Sequence, residues 1–370
     1  MWVISVFIIP RYSCNIEIQY KPVDWHIHLV ILFLSIREET SRNMTDSREV
    51  IPYYCSPSGD PEEDKELLEP FEYIQTVENN RCTKLTVAFN HWLRISPDKL
   101  RQINDIISIV YNVCILFDDI QDGSIWRDGI PVTHSVYGLC DTISTTNYMQ
   151  AIALEKAIEL HPEAVKILTE ELVEFNRGQR KDIYWRNNSI CPTDDQYEKN
   201  AIRKAGWLVK LMVKLMKLFS SCEKDFSSVL NLMGYYHQIH NDYCNLCVGK
   251  DDKNYCDDLT EGKFSFPIIH AIKHDDDRRI RNILKQRTTD INLKNHFVEL
   301  LEKLGSFKYT RDVLKELNKK IKIEIERLGG NPLFINMLEK YENEVLCHGI
   351  KGENIINASF SKNCIYIYIL

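Results

Sequence analysis

Three aspartates, Asp118, Asp119 and Asp122, follow directly after a long apolar segment of the chain. They stand at i, i+1 and i+4, so on a helix Asp118 and Asp122 share a face and Asp119 lies beside them. Carboxylates gathered at the end of a buried helix repel one another unless cations neutralise them. Mg²⁺ favours a few carboxylates together with water and phosphate oxygens, so the pattern predicts a metal site for a phosphate-bearing ligand. A solvated acidic helix end is the alternative interpretation.

A second polar group lies on a later segment, 238–245, after the apolar residues 230–236. Asn241 and Asn245 again stand at i and i+4, with Asp242 adjacent. Alone this group is a weak signal, because Asn-Asp pairs are routine on protein surfaces. Two such helices facing each other across a bundle would instead hold metal ions on both sides of a diphosphate.

The element that must position the first cluster is a helix over residues 98–121. Its part 106–117 is apolar nearly all round, which predicts burial at the centre of a bundle. Helical periodicity continues almost throughout, and strand patterns are scarce. The other predicted helices span about 66–77, 83–94, 141–160, 162–187, 195–220, 223–250, 260–274, 277–290, 293–305, 306–328 and 331–345. The sequence therefore predicts an all-α fold, a single large bundle of about ten or more helices.

The two ends of the 370-residue chain differ in character from its middle. Residues 50–63 are rich in Pro, Ser, Gly and Asp, which is typical of a linker. The last residues, 364–370, alternate in a strand-like way that fits nothing else in the chain. We predict an N-terminal extension over residues 1–60, a helical domain over 61–345 and a C-terminal appendage over 346–370.

Composition restricts the class of partner. The net charge is −7 and no Lys/Arg run suggests a nucleic-acid partner. No segment reaches the ~18–20 apolar residues of a membrane helix, so stable membrane insertion is not expected. The 12 cysteines are scattered along a long chain, which favours free thiols in a reducing compartment. We therefore expect a cytoplasmic protein.

Several further segments have distinctive spacings of glycine, charged and aromatic residues. They are Leu68–Phe71, Thr83–Asn90, Gly129–Gly138, Gly178–Arg186, Asp258–Pro267, Gly305–Thr310 and Gly329–Pro332, in addition to the aspartate cluster. With these segments the chain resembles the trans-isoprenyl diphosphate synthases, most of all the animal geranylgeranyl diphosphate synthases, from about residue 67 to 338. The resemblance implies the type I isoprenoid synthase fold, with a deep central pocket, an allylic diphosphate substrate and a homodimer.

The resemblance also implies roles for matching residues. Asp118 and Asp122 would ligate Mg²⁺, or Mn²⁺ in its place, with Asp119 supporting them, and Asp242 with Asn241 would carry the far metal site. The basic residues that would contact the allylic diphosphate are Arg127, Lys204 and Lys263. The polar residues that would line the site are Gln179, Asp182 and Gln238. Among these, the aspartate cluster and the two lysines are the candidate catalytic residues.

Departures from the family pattern are concentrated at one subsite. A chain-elongating member also binds isopentenyl diphosphate, mainly through basic side chains. At those positions this chain has Asn79, Cys82 and Asp128 in place of Lys, Arg and Arg, and Tyr111 in place of His. A unit charge pair at ~4 Å is worth about 4 kcal/mol at an effective dielectric constant of 20, so Asp128 alone would turn attraction into repulsion. A local shift that brings Arg81 into the subsite would compensate in part.

A bulky residue also enters the predicted pocket. Trp207 follows Gly206, where the family usually has a pair of small residues. This ring either shapes a carbocation pocket or packs in the core. The other candidate pocket aromatics are Tyr111, Phe117, Tyr148 and Tyr243.

These features favour a derived terpene synthase of the insect type, a class I carbon–oxygen lyase. It would use Mg²⁺ to ionise geranyl or farnesyl diphosphate, giving a mono- or sesquiterpene and pyrophosphate. The second cluster begins with Asn-Asp, as in many class I terpene synthases, although residue 249 is Gly where their motif has Glu. One alternative is a chain-elongating geranylgeranyl or other prenyl diphosphate synthase. Another is a non-catalytic subunit of a hetero-oligomeric prenyltransferase.

Overall fold

The computed structural model describes residues 61–75, 81–250 and 252–350. The helices in these residues are α1 (Pro61–Gln75), α2 (Arg81–Leu93), α3 (Pro97–Asp122), α4 (Thr133–Val136), α5 (Leu139–Leu160), α6 (Ala164–Asn188), α7 (Asp194–Lys204), α8 (Trp207–Lys217), α9 (Ser227–Cys247), α10 (Asp257–Glu261), α11 (Phe266–His274), α12 (Arg279–Leu284), α13 (Ile291–Lys303), α14 (Ser306–Arg327) and α15 (Pro332–Ile350). The predicted all-α class is confirmed. Within these residues, no helix combines the length and the hydropathy needed to cross a bilayer.

The predicted terminal segments lie largely outside the described residues. This applies to the whole N-terminal extension, 1–60, and to residues 351–370 of the C-terminal appendage. The last described helix, α15, continues to Ile350, five residues beyond the predicted end of the helical domain at 345.

Helix α3 is the central element, and local signals set both of its ends. Ser96 caps it by accepting a hydrogen bond from the Lys99 backbone N–H at 3.3 Å, and Pro97 occupies the first turn. Gly123 ends it in the left-handed conformation, with φ at +68°. Between these ends, buried isoleucine, valine and leucine side chains pack against α2, α5 and α8. The three aspartates therefore lie in the last turn of a buried helix.

The predicted helix 195–220 is in fact two helices, α7 and α8, which are separated at Ala205 and Gly206. The prediction was wrong here because both halves are strongly helical in pattern and the interruption comes from tertiary packing. Gly234 of α9 lies against this junction, and a Cβ on Gly234 would come within 2.7 Å of the Gly206 Cα. The break places Lys204 at the end of α7 and Trp207 at the start of α8.

A small β-hairpin follows α3, in a region where the sequence predicts no strand. Its strands β1 (Trp126–Arg127) and β2 (Ile130–Pro131) pair antiparallel. The two residues between them, Asp128 and Gly129, have φ values of +51° and +84°. Asp-Gly is a favoured pair for such a two-residue turn, in which both central residues have positive φ. The hairpin turns the chain back toward the end of α3.

The contact between Gly234 and Gly206 leaves no room for a methyl group. Alanine is intrinsically the better helix former, so an unconstrained Gly234→Ala substitution would stabilise α9. We expect Gly234→Ala to lower the free energy of unfolding by about 1–3 kcal/mol, because the new Cβ meets backbone that cannot rotate away. Urea denaturation measures this, with Ser228→Ala, an exposed position on the same helix, as the control. Unchanged or increased stability of Gly234→Ala would contradict the close approach.

Candidate active site

A cavity of about 1190 Å³, including its solvent-filled opening, lies among α3, α6, α7, α8, α9 and the segment joining α10 to α11. Of the predicted site residues, the following line it: Asp118, Asp182, Lys204, Trp207, Gln238, Asn241, Asp242 and Lys263. The structure thus brings together side chains from both predicted polar clusters. Asp119, Asp122, Arg127 and Gln179 do not line the cavity, and they contact or support the residues that do.

Asp118 is the cavity-lining carboxylate of the first cluster. Gln179 donates a hydrogen bond to its Oδ1 at 2.8 Å, and the Lys204 ammonium lies 3.8 Å from the same oxygen. Lys204 is also 3.1 Å from Oδ2 of Asp182, and the Oδ1 of Asp182 accepts a 2.6 Å hydrogen bond from Asn200. These contacts join α3, α6 and α7 at one point, and Lys204 lies between two carboxylates.

Asp119 supports this arrangement from a buried position, with only 1% of its side chain exposed. The Arg127 guanidinium donates to its Oδ1 twice, at 2.8 Å from Nε and 2.6 Å from the terminal nitrogen. The hairpin is what brings Arg127 back over α3. Burial raises the pKa of Asp119 above its usual value, and the attraction of Arg127 opposes that shift without cancelling it.

Asp122 is buried beneath two cations, with 2% of its side chain exposed. Arg186 donates to its Oδ1 at 2.7 Å, and the Lys263 ammonium lies 2.9 Å from its Oδ2. Burial by itself would raise the pKa of Asp122, but Lys263, Lys204 and Arg186 outweigh it and hold the pKa well below its usual value. On α3, Asp122 shares a face with Asp118, as the i, i+4 spacing predicts. Unlike Asp118, it is covered by Arg186 and Lys263.

Two members of this network, Arg186 and Glu261, were missed among the predicted site residues. Glu261 pairs with Lys263 at 2.5 Å, and burial raises the pKa of its carboxyl to about 7. Both residues lie in segments that carry the family resemblance, so the sequence contained a signal. An isolated Arg or Glu on a predicted helix gives no reason to choose it over its neighbours.

Protein cations offset the self-repulsion expected of the first cluster. The last turn of α3 is also the negative end of a helix dipole, which disfavours carboxylates further. The four basic residues that compensate are Arg127, Arg186, Lys204 and Lys263. Among the described residues, no group of three or more His, Cys, Asp or Glu side chains converges closely enough to hold a metal ion. Because the four basic residues already neutralise the cluster, the self-repulsion of its aspartates is not in itself an argument for a bound metal ion.

The second cluster is organised around Asp242, which is buried. Its Oδ1 accepts a hydrogen bond from Gln238 at 2.8 Å, and its Oδ2 accepts from the Tyr197 hydroxyl at 2.5 Å and from the Phe266 backbone at 2.7 Å. Burial raises the pKa of Asp242 to about 6, while these hydrogen bonds oppose the shift. Asn241 lies beside it, with its amide nitrogen 3.5 Å from the His237 ring. Tyr197 was not predicted, because no spacing rule links it to α9.

The cavity wall is partly aromatic, but the aromatic residues differ from those predicted. Tyr111 and Trp207 line it as expected, and Trp207 also packs against Phe175 with ring centroids 5.0 Å apart. The aromatic residues that line the cavity without having been predicted are Phe175, Trp185, Tyr197 and Phe264.

Three of the predicted aromatics, Phe117, Tyr148 and Tyr243, do not line the cavity. Tyr148 donates instead to Asp64 at 2.6 Å, and the Tyr243 hydroxyl accepts from Arg311 at 3.1 Å. The prediction that these three rings line the pocket was therefore wrong.

The residues that stand where the family has basic side chains lie in different parts of the structure. Cys82 is 1% exposed in the core, and Tyr111 lines the cavity. Asp128 occupies the positive-φ turn of the hairpin, a conformation that Asp adopts more readily than Arg. Asn79 lies outside the described residues, as does the side chain of Arg81. None of the three described substitutions supplies a positive charge.

Comparison with known proteins places this site in a family. Residues 64–301 match the model of the polyprenyl synthetase family. A terpene synthase of Matsumurasca onukii is 48% identical over 294 residues, which is 78% of this chain and 96% of that protein. Geranylgeranyl pyrophosphate synthases of Mucor circinelloides f. lusitanicus and Dictyostelium discoideum are 41% and 37% identical, over 74% and 76% of this chain and 91% and 94% of theirs. The chain therefore belongs to the polyprenyl synthetase family, and it has the carboxylates and basic side chains of an enzyme that acts on prenyl diphosphates.

Proposed function

We propose that the protein is a terpene synthase that ionises an allylic prenyl diphosphate, geranyl or farnesyl, and releases a mono- or sesquiterpene and pyrophosphate. The observation that carries the proposal is an asymmetry of charge. Lys204 and Lys263 line the cavity together with Asp118 and would bind one diphosphate there. The described positions at which basic residues for a second diphosphate are expected carry Cys82, Tyr111 and Asp128 instead.

The first step of the reaction is heterolysis of the allylic carbon–oxygen bond, with the electron pair going to the diphosphate oxygen. Lys204 and Lys263 line the cavity and would hold the leaving group by charge-assisted hydrogen bonds. Each ammonium has three N–H donors, so either can keep a carboxylate contact and still bind a phosphate oxygen. Arg127 would hold Asp119 and Asp118 in position while the diphosphate departs.

Oxygen donors suited to Mg²⁺, or Mn²⁺, are present on both sides of the cavity. Asp118 and Asp182 line one side and Asp242 with Asn241 the other, and each side alone offers few donors. That fits an ion whose coordination shell is completed by phosphate oxygens and water. Asp122 would join them once a diphosphate draws Lys263 away from it. When bound, such ions neutralise negative charge on the departing diphosphate.

The apolar part of the cavity would receive the allylic cation. The faces of aromatic rings stabilise cations, and Tyr111, Phe175 and Trp207 lie in this wall. With no isopentenyl diphosphate to attack it, the cation loses a proton, cyclises or is captured by water. Pyrophosphate is a suitable base for the proton, since it is generated beside the cation.

A chain-elongating prenyltransferase is the second candidate, and the geranylgeranyl pyrophosphate synthases among the relatives favour it. In that case the exposed Lys84, together with Arg81, would restore the second subsite. A non-catalytic subunit of a hetero-oligomer is the third candidate, and the intact network around Asp118 weighs against it. A homodimer in the cytoplasm stays a prediction, which light scattering and cell fractionation would check.

Product analysis separates the three candidates. We expect the purified protein with Mg²⁺ to convert geranyl or farnesyl diphosphate to a hydrocarbon or alcohol without isopentenyl diphosphate. Gas chromatography with mass spectrometry measures these products, and heat-inactivated protein is the control. Longer prenyl diphosphates that form only when isopentenyl diphosphate is added would refute the lyase proposal. Absence of any turnover would favour the subunit interpretation.

Removing the charge of Asp118 tests the metal and diphosphate assignment. Asp118→Asn preserves size and should reduce turnover at least roughly 100-fold, because a neutral amide binds Mg²⁺ more weakly than a carboxylate and the ion would neutralise charge on the departing diphosphate. Asp276→Asn, at an exposed site, is the matched control and should retain full activity. Full activity of Asp118→Asn would contradict the assignment.

Asp128 tests whether charge excludes a second diphosphate. Asn tolerates the positive-φ turn as well as Asp does, so Asp128→Asn removes the charge and keeps the hairpin. We expect isopentenyl diphosphate to inhibit this variant at a concentration roughly two- to tenfold lower than it requires for the unaltered protein. Inhibition constants, compared with those of Asp276→Asn, measure the effect, and an unchanged constant would show that Asp128 does not govern this subsite.

A further inference from the structure

A second, smaller pocket of about 680 Å³ lies beside the active site, on the far side of Arg186. The C-terminal end of α6, the segment 262–264 and helix α12 with the residues after it form its walls. Its lining includes four basic side chains, Arg186, Arg281, Lys285 and Arg287, and no acidic residue. Asn187 and Ser189 complete the polar part of the wall.

Three of the four basic residues of this pocket have no acidic partner among the described residues, and Arg186 is the exception. No carboxylate of the described residues lies within ion-pair distance of Arg281, Lys285 or Arg287. Arg287 packs against Gly262, where a Cβ would come within 3.0 Å of its Nε, and it donates to Asn187 at 3.2 Å. Glycine at position 262 thus leaves room for the Arg287 side chain at the pocket wall.

Arg186 supplies a second and independent sign of a ligand. Its side chain is only 8% exposed, and its terminal nitrogens donate to Asp122 and to the Gln121 carbonyl. Its Nε–H is buried and has no hydrogen-bond partner in the part of the chain that the structure describes. A buried donor of a charged group left without a partner is costly, which favours an acceptor at this place.

We propose that this pocket binds a phosphate-type oxyanion, with Arg186, Arg281, Lys285 and Arg287 as its ligands. Guanidinium groups match the geometry of phosphate oxygens, and a concave surface lined with cations concentrates the field on an anion. The anion would take the Nε–H of Arg186 and leave its contact with Asp122 in place. It would thereby keep the Arg186 guanidinium in contact with Asp122 from the side of the smaller pocket.

The site is distinct from the predicted grip on the allylic diphosphate. Lys204, Asp118 and Asp182 line the large cavity and not this pocket, whereas Lys285 and Arg281 line this pocket and not the cavity. The proposal does not depend on terpene synthesis, since a chain-elongating enzyme with these residues would have the same pocket. Free orthophosphate and inorganic diphosphate are the two sources of the same chemistry.

Direct binding tests the proposal. Equilibrium dialysis of the full chain with radiolabelled orthophosphate, in EDTA and low salt, should give saturable binding of one anion per chain, and inorganic diphosphate should compete. Arg281→Gln with Lys285→Gln should weaken binding at least roughly tenfold, because two charge-assisted contacts are lost. Lys315→Gln with Lys320→Gln removes the same charge from exposed positions on α14 and should leave binding unchanged.

Lys204→Gln separates the pocket from the active site, since it removes a cation from the large cavity only. Phosphate binding within about twofold of the unaltered protein supports the proposal, whereas loss of binding in this variant would assign the anion to the active site and overturn it. Absence of saturable binding to the unaltered protein, or equal weakening by the α14 control, would overturn it too. Circular dichroism and thermal unfolding verify that each variant is folded.

Discussion

Neutralisation of three aspartates at the carboxyl end of α3 is the constraint on which the arrangement of this protein depends. The carboxylates of Asp118, Asp119 and Asp122 lie close together at the negative end of a helix dipole, and two of them are buried. Each compensating cation comes from a different element: the hairpin, α6, α7 and the segment between α10 and α11. The aspartate cluster is therefore fully neutralised only when all four elements are in place.

The same cations connect stability with the proposed chemistry. Lys204 and Lys263 have spare donors that face the large cavity, so a diphosphate can enter a network that is already balanced. Arg186 faces away from that cavity and toward the smaller pocket. If a phosphate-type anion binds there, it would contact Arg186 on one side of the aspartate cluster, while a diphosphate in the large cavity would contact Lys204 and Lys263 on the other.

Much of the fold could be predicted because helix periodicity survives in nearly every segment. The errors occurred where tertiary contact overrides local pattern. The strong helical pattern of 195–220 gave no sign that Gly234 would press against Gly206 and divide it. Likewise, the Asp128-Gly129 pair is a recognisable turn signal, yet its strands are two residues long and leave no alternation to detect.

The sequence by itself determined the family and the all-α class, because these depend on residue types at short, fixed spacings. It also predicted which carboxylates would meet a diphosphate. Only the tertiary structure decided that Arg186 and Lys263 cover Asp122. It also decided that the Tyr197 hydroxyl donates a hydrogen bond to Asp242. These pairs join elements far apart in the chain. No local periodicity encodes which side chains meet across a bundle, since packing of the whole core determines it.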